Sequence, residues 1–230
     1  MLKLHGLERT NLATDVAALI RRAITEGQVP SGTRIVESEI SRQLGVSRAP
    51  VREALRLLES EGLVESRPGR GWYVPEISER DIRELYSLRA ILEQEAIKLA
   101  VERAEETDID RLEATLHDLL AAAQEGDRAK VIDLDLQFHR QIWEMADHQR
   151  LKEVLREIGV QVRMYVALQT NLYENLLDGI MDHREILEAL RNRDTAKAVE
   201  AMRDHLQVAT DDLLDYFHST RERPSDRAEE

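Results

Sequence analysis

Residues 45–55, GVSRAPVREAL, and residues 61–74, EGLVESRPGRGWYV, decide how the first third of the chain reads. Gly45 is suited to the left-handed turn that stops a helix over 37–44, and Ser47 is a cap residue for a second helix over 48–61. Pro50 falls in the first turn of that helix, where a missing N–H costs nothing. Two helices thus meet across three residues, with Ile40, Leu44, Val46, Val51, Leu55 and Leu58 able to form a core between them. Arg48, Arg52 and Arg56 recur every four residues on the opposite, outward stripe. After Gly62 the chain alternates through Leu63–Arg67, turns at PGRG, and returns through Trp72, Tyr73 and Val74 as a β-hairpin. Upstream, Leu12, Val16, Leu19, Ile20 and Ala23 repeat at helical spacing over 11–24. This is the order of a winged helix-turn-helix. An arginine fork can donate two hydrogen bonds to guanine O6 and N7, and glycines in a hairpin let backbone approach a sugar-phosphate chain, with Arg67 and Arg70 supplying charge.

The whole-chain charge of -13 speaks against nucleic acid only until it is divided. Residues 1–75 carry a net +2 and residues 76–230 a net -15, so only the first part is suited to phosphate. Domains are therefore expected over 1–75 and 76–220, with a disordered tail over 221–230. Cysteine is absent, which excludes disulfides and thiolate metal sites. No apolar run approaches the roughly 20 residues of a membrane helix, and a soluble, cytoplasmic protein is expected. A third of the residues are charged and 4% aromatic, a balance that suits helices over strands. From Ser78 onward about six helices are expected, with capping boxes at Ser78/Asp81 and Thr107/Asp110 and interruptions at Gly126 and Asn192. The fold class is mainly α: a winged helix-turn-helix followed by an all-helical antiparallel bundle.

In the second part, polar residues interrupt apolar helix faces. Asp135 lies in the stripe Val131, Phe138, Ile142, Met145, and His139 follows one turn later on the same side. His183 falls within Ile180, Leu187, Leu190, and His205 within Ala198, Met202, Ala209, Leu213. A lone inward histidine is ordinarily a hydrogen-bonded core residue. A carboxylate with three imidazoles is a sound set for one divalent transition metal, zinc first, with nickel and manganese as alternatives. His5, His117, His148 and His218 lie on polar faces or in loop-like segments and are left out of the set. Arg89 shares the stripe of Ile82, Leu85, Leu92, Ala96 and Leu99, so its guanidinium faces the interior and needs an anion. That anion is either Glu93 or Glu95 of its own helix, or the carboxylate of a bound effector. Arg163 is a weaker effector candidate, off the apolar stripe of its helix.

The two quoted stretches resemble the GntR family of bacterial transcription regulators. Residues 78–217 resemble the FCD ligand-binding domain of its FadR-like subfamily. The first resemblance implies that the helix carrying Arg48 and Arg52 enters the major groove and the wing meets the minor groove, with Ser47 and Gly69 at family contact positions. A basic residue common early in the preceding helix is here Ser38, and Arg34 is a substitute for its backbone contact. The second implies a metal held by an aspartate, a histidine four residues on, and histidines 44 and 22 residues further, the spacing of Asp135, His139, His183 and His205. It also implies effector contact at Arg89. The function expected is a homodimeric, ligand-responsive repressor of a catabolic operon, released from a palindromic double-stranded DNA operator by a small organic acid.

The alternative is a helical metalloenzyme with a DNA-binding appendage. No HExxH motif and no Glu-x-x-His pair occurs, and the His117-Asp118 doublet has no placeable partners, so the chain is expected not to be an enzyme.

Overall fold

The computed structural model describes residues 12–221, which divide into two compact units meeting between Glu76 and Ile77. The first unit opens with α1 (Leu12–Thr25), followed by β1 (Arg34–Ile35), α2 (Glu37–Leu44), α3 (Arg48–Ser60), β2 (Glu65–Arg67) and β3 (Gly71–Tyr73). Gly45 has φ 66°, the left-handed conformation that ends α2, and Gly69 at φ 72° turns the hairpin. Val51, Ala54, Leu55 and Leu58 bury one face of α3 against α1 and α2, each large side chain worth about 1.5–3 kcal/mol of transfer free energy. Arg48, Arg52 and Arg56 stay exposed on the other face.

Four details depart from the sequence reading. Leu44 is not core but 39% exposed, because the chain turns away at Gly45 directly after it. Ser47 caps α3 by position, with φ -71° and ψ 165°, yet its hydroxyl accepts no cap hydrogen bond. The hairpin is a three-stranded sheet of order β1-β3-β2, since Arg34 and Ile35 pair antiparallel with Tyr73 and Trp72. The capping box expected at Thr107/Asp110 forms two residues earlier, at Glu105/Asp108, where α5 begins.

The second unit is all-helical: α4 (Glu79–Arg103), α5 (Glu106–Glu125), α6 (Arg128–Met145), α7 (Gln149–Leu172), a 3-10 turn (Leu176–Gly179), α8 (His183–Arg191) and α9 (Thr195–Arg221). Ser78 and Asp81 form the expected reciprocal box at the start of α4. Helix α4 runs along α9 and α5 along α6, enclosing a core in which Phe138, Ile142, Leu112, Leu119, Ile186 and Leu206 are buried. None of the described helices is long and apolar enough to cross a membrane. Apart from Arg221, the last residue of α9, the expected tail lies outside the described residues, as does His5.

Candidate functional site

Three helices converge on one buried polar cluster. Asp135 and His139 stand one turn apart on α6, His183 opens α8, and His205 is midway along α9. His139 and His183 are fully buried, with Asp135 at 8% and His205 at 7% exposure. One ligand atom of each of the four residues lies within 4.8 Å of the others. The rings pack as well as point: His139 stacks on His205 with centroids 5.0 Å apart, and Phe138 meets the His183 ring edge-on at 4.9 Å.

The outer nitrogens of the imidazoles are all engaged. His139 Nδ1 lies 2.6 Å from Glu93 Oε2, His205 Nδ1 2.7 Å from Asp182 Oδ2, and His183 Nδ1 3.1 Å from the Ile180 carbonyl and 3.2 Å from Asp182 Oδ1. Acceptors there require Nδ1–H tautomers in the neutral rings, which turns each Nε2 lone pair inward. The inward atoms then face one another: His139 Nε2 and His205 Nε2 are 3.1 Å apart, and His183 Nε2 is 3.1 Å from Asp135 Oδ1 without the alignment of a hydrogen bond. Two lone pairs held face to face need a cation between them. Nitrogens each about 2.0–2.1 Å from a common zinc-like ion would be separated by roughly 3.0–3.4 Å, so the donor set fits a divalent metal.

Electrostatics bear the same mark. Burial pushes against ionisation of Asp135, yet His183 and His139 beside it hold its carboxyl down at about 2. Burial likewise opposes charge on Glu93 and Asp182, and both are held below the ordinary carboxylate range, Glu93 by His139 and Arg89, Asp182 by His205 and His183. Burial lowers His139, whereas on His183 it is outweighed by Asp135 and Asp182, which push the imidazole up to about 9.

Arg89 lies beside this cluster, 2% exposed, with Nε 2.6 Å from Glu93 Oε1. The internal partner is thus Glu93, while Glu95 pairs outward with Lys98. The salt bridge does not exhaust the guanidinium, because Nη2 is buried with no well-formed hydrogen bond; the Tyr86 hydroxyl is likewise buried without one, and the Tyr86 ring centroid lies 5.7 Å from the guanidinium carbon. Arg89, Asp135, Asp182, His205, Gln169 and Tyr173 line a cavity of about 30 Å³, room for a water molecule. Arg163 lies elsewhere: its Nη1 is 2.6 Å from Asp133 and it lines no part of that cavity. Sequence reasoning missed Asp182, whose signal was only its place immediately before His183, and saw Glu93 only as a partner for Arg89. Of the histidines left out, His117 is exposed, His148 caps α7, and His218 pairs with Glu79.

In the first unit, Arg48 is exposed at the start of α3 and Arg70 at the hairpin tip, beside Gly69. Arg52 is held by Glu37 of α2, with Nε to Oε1 at 3.1 Å and Nη2 to Oε2 at 2.9 Å. Arg34 lies beside the wing, where a Cβ on Gly71 would come within 3.8 Å of its Nη2. Arg67 folds back, its Nε 2.6 Å from Glu65 and its guanidinium 4.4 Å above the Tyr73 ring, so its charge is spent within the sheet.

Comparison with known proteins agrees with both halves. Residues 12–74 match the profile of bacterial regulatory proteins of the gntR family, and residues 84–208 match the FCD domain. A probable D-xylose utilization operon transcriptional repressor of Paenarthrobacter nicotinovorans is 32% identical over 87% of this chain and 88% of its own. The transcriptional repressor RspR of Escherichia coli is 29% identical over 85% and 86%. Among solved structures, McbR/YncC of E. coli superposes with TM-score 0.77 at 25% identity, covering 91% of this chain and all of that one. A transcriptional regulator of Rhodococcus sp. RHA1 follows with TM-score 0.76 at 26% identity, over 90% and 99%. These relatives are regulators, and none supports the metalloenzyme alternative. The chain belongs to the GntR family of bacterial DNA-binding transcription regulators, in the branch whose second domain is the FCD ligand-binding domain.

Proposed function

We propose that this regulator is a cytoplasmic, homodimeric repressor that leaves a palindromic operator when a small carboxylate binds beside a metal in its FCD domain. Asp135 Oδ1 and the Nε2 atoms of His139, His183 and His205 would hold the ion, zinc before nickel or manganese. Bound there, the ion supplies a Lewis-acidic centre with coordination positions left for an anion. Glu93 and Asp182 keep the imidazoles in the ligating tautomer, and Glu93 also fixes Arg89. The observation that carries the reading is Arg89 Nη2, a buried cationic donor without a well-formed partner in a cavity shared with Asp135 and His205. A buried unpaired donor is costly, and a carboxylate oxygen satisfies it with a charge-assisted bond. In the first unit, Arg48 and Arg52 read base edges from the major groove, with Ser47, Arg34, Gly69 and Arg70 meeting the backbone. Two copies are needed because one short helix reads too few bases, and two-fold symmetry doubles the reading.

The test is fluorescence anisotropy of the zinc-loaded protein on a duplex selected from a random pool, titrated with small mono- and dicarboxylic acids. At least one acid should release wild-type protein and leave Arg89→Ala bound. If all acids act alike on wild type and Arg89→Ala, the carboxylate site is wrong.

A further inference from the structure

The pairing of Arg52 with Glu37 is more than an exposed ion pair. Such pairs are ordinarily worth little, because two long side chains must be immobilised in water. Here Glu37 is only 20% exposed and receives three hydrogen bonds from two elements: two from Arg52 on α3, and a third from Trp72 Nε1 on β3 to Oε1 at 3.1 Å. Glu37 is held below its ordinary carboxyl value first by Arg52, against burial, and Trp72 and Arg48 add to it. A carboxylate on a face that meets phosphates is also repelled by DNA, so its presence there works against affinity unless it does something in return.

The geometry of the guanidinium supplies that return. Glu37 occupies the side edge, Nε and Nη2, and no described residue hydrogen-bonds Nη1. The free end, one N–H of Nη1 beside the outer one of Nη2, is a two-pronged donor that fits guanine O6 and N7. We propose that Glu37 is a positioning residue for base reading: it grips the Nε/Nη2 edge of Arg52 and, braced by Trp72, presents the other end of the fork to guanine. Trp72 then ties the wing to the recognition helix, because the indole that steadies Glu37 sits on β3 opposite Ile35 of β1 and Ser66 of β2. An arginine fixed in this way loses less side-chain entropy on contacting the base than a free one.

The inference rests on the reading of Arg52 as a base reader, and the experiment separates the two. Full-length wild-type and variant proteins are used to select from a pool of randomised duplex DNA, and relative affinities are counted base by base. Arg52→Ala should lose a guanine preference at one position of the half-site by about tenfold. Glu37→Ala should lose at least about threefold at that same position and leave the others unchanged. Glu37→Gln, whose carbonyl oxygen still accepts from Arg52, should restore part of it. Trp72→Phe should show a smaller loss there. The double variant Glu37→Ala/Arg52→Ala should match Arg52→Ala alone. Glu37→Ala that keeps the guanine preference while tightening all sequences equally would overturn the proposal, leaving Glu37 as a mere negative charge. A loss spread evenly over all positions, or losses that add in the double variant, would overturn it as well. If Arg52→Ala itself changes no base preference, the reading of Arg52 falls and the role of Glu37 falls with it.

Discussion

His183 sits between Asp135 and Asp182, and in the metal-free protein those carboxylates make it a cation pushed up to about 9. Its raised value gives a stabilisation that is fully present below the unfolded value near 6.5 and lost as pH rises through about 9. A metal needs the neutral ring, so at pH 7 the ion must displace the His183 proton, and metal affinity should rise with pH up to about 9. Titration calorimetry at pH 7 in two buffers of different ionisation heat should show about one proton released per ion. Asp182 serves two of the three imidazoles, and Asp182→Asn should weaken metal binding by about 10- to 100-fold without abolishing it. Competition with a chromogenic chelator measures this. The four residues that converge were legible because each breaks an apolar helical stripe. Asp182 was not, because a carboxylate acting through the far nitrogen of a ring needs no place on any stripe and adjoins His205 only once α8 and α9 have packed.

At the scale of elements, α3 is governed by its two faces. Leu55 is completely buried, and Leu55→Ala should cost about 2–5 kcal/mol and lower the melting temperature of the first unit. Its near neighbour Leu57 is 43% exposed, so Leu57→Ala should change stability by no more than about 0.5 kcal/mol. Differential scanning calorimetry of both variants reads the contrast. The helices were legible because Gly45, Pro50 and Gly126 punctuate strong periodicity. The start of α5 was not, since 105–110, EETDID, offers two candidate capping pairs three residues apart and only packing chooses Glu105/Asp108 over Thr107/Asp110. Strand β1 escaped for a different reason: two residues cannot display an alternation, and Arg34 and Ile35 become a strand only because β3 lies alongside.

Across the whole molecule, the division of charge explains how an acidic chain binds DNA: the net +2 of residues 1–75 meets phosphate, while the -15 of residues 76–230 stays with the ligand-binding domain. An effector of the proposed kind would act on DNA by linkage, shifting the equilibrium only by its differential affinity for the two arrangements of the protein. Two-fold reading of a palindrome requires a dimer, and sedimentation at micromolar concentration should give twice the chain mass of 26.4 kDa, with two chains per operator. The proposed effector response depends on the buried cluster of Asp135, His139, His183 and His205 being a metal centre. The most direct measurement is the metal content of purified full-length protein after incubation with zinc, nickel and manganese and exhaustive dialysis, beside His139→Ala and His183→Ala. About one ion per chain in the wild type, with a large loss in both variants, is the expected result. Wild-type protein that remains metal-free would contradict the account.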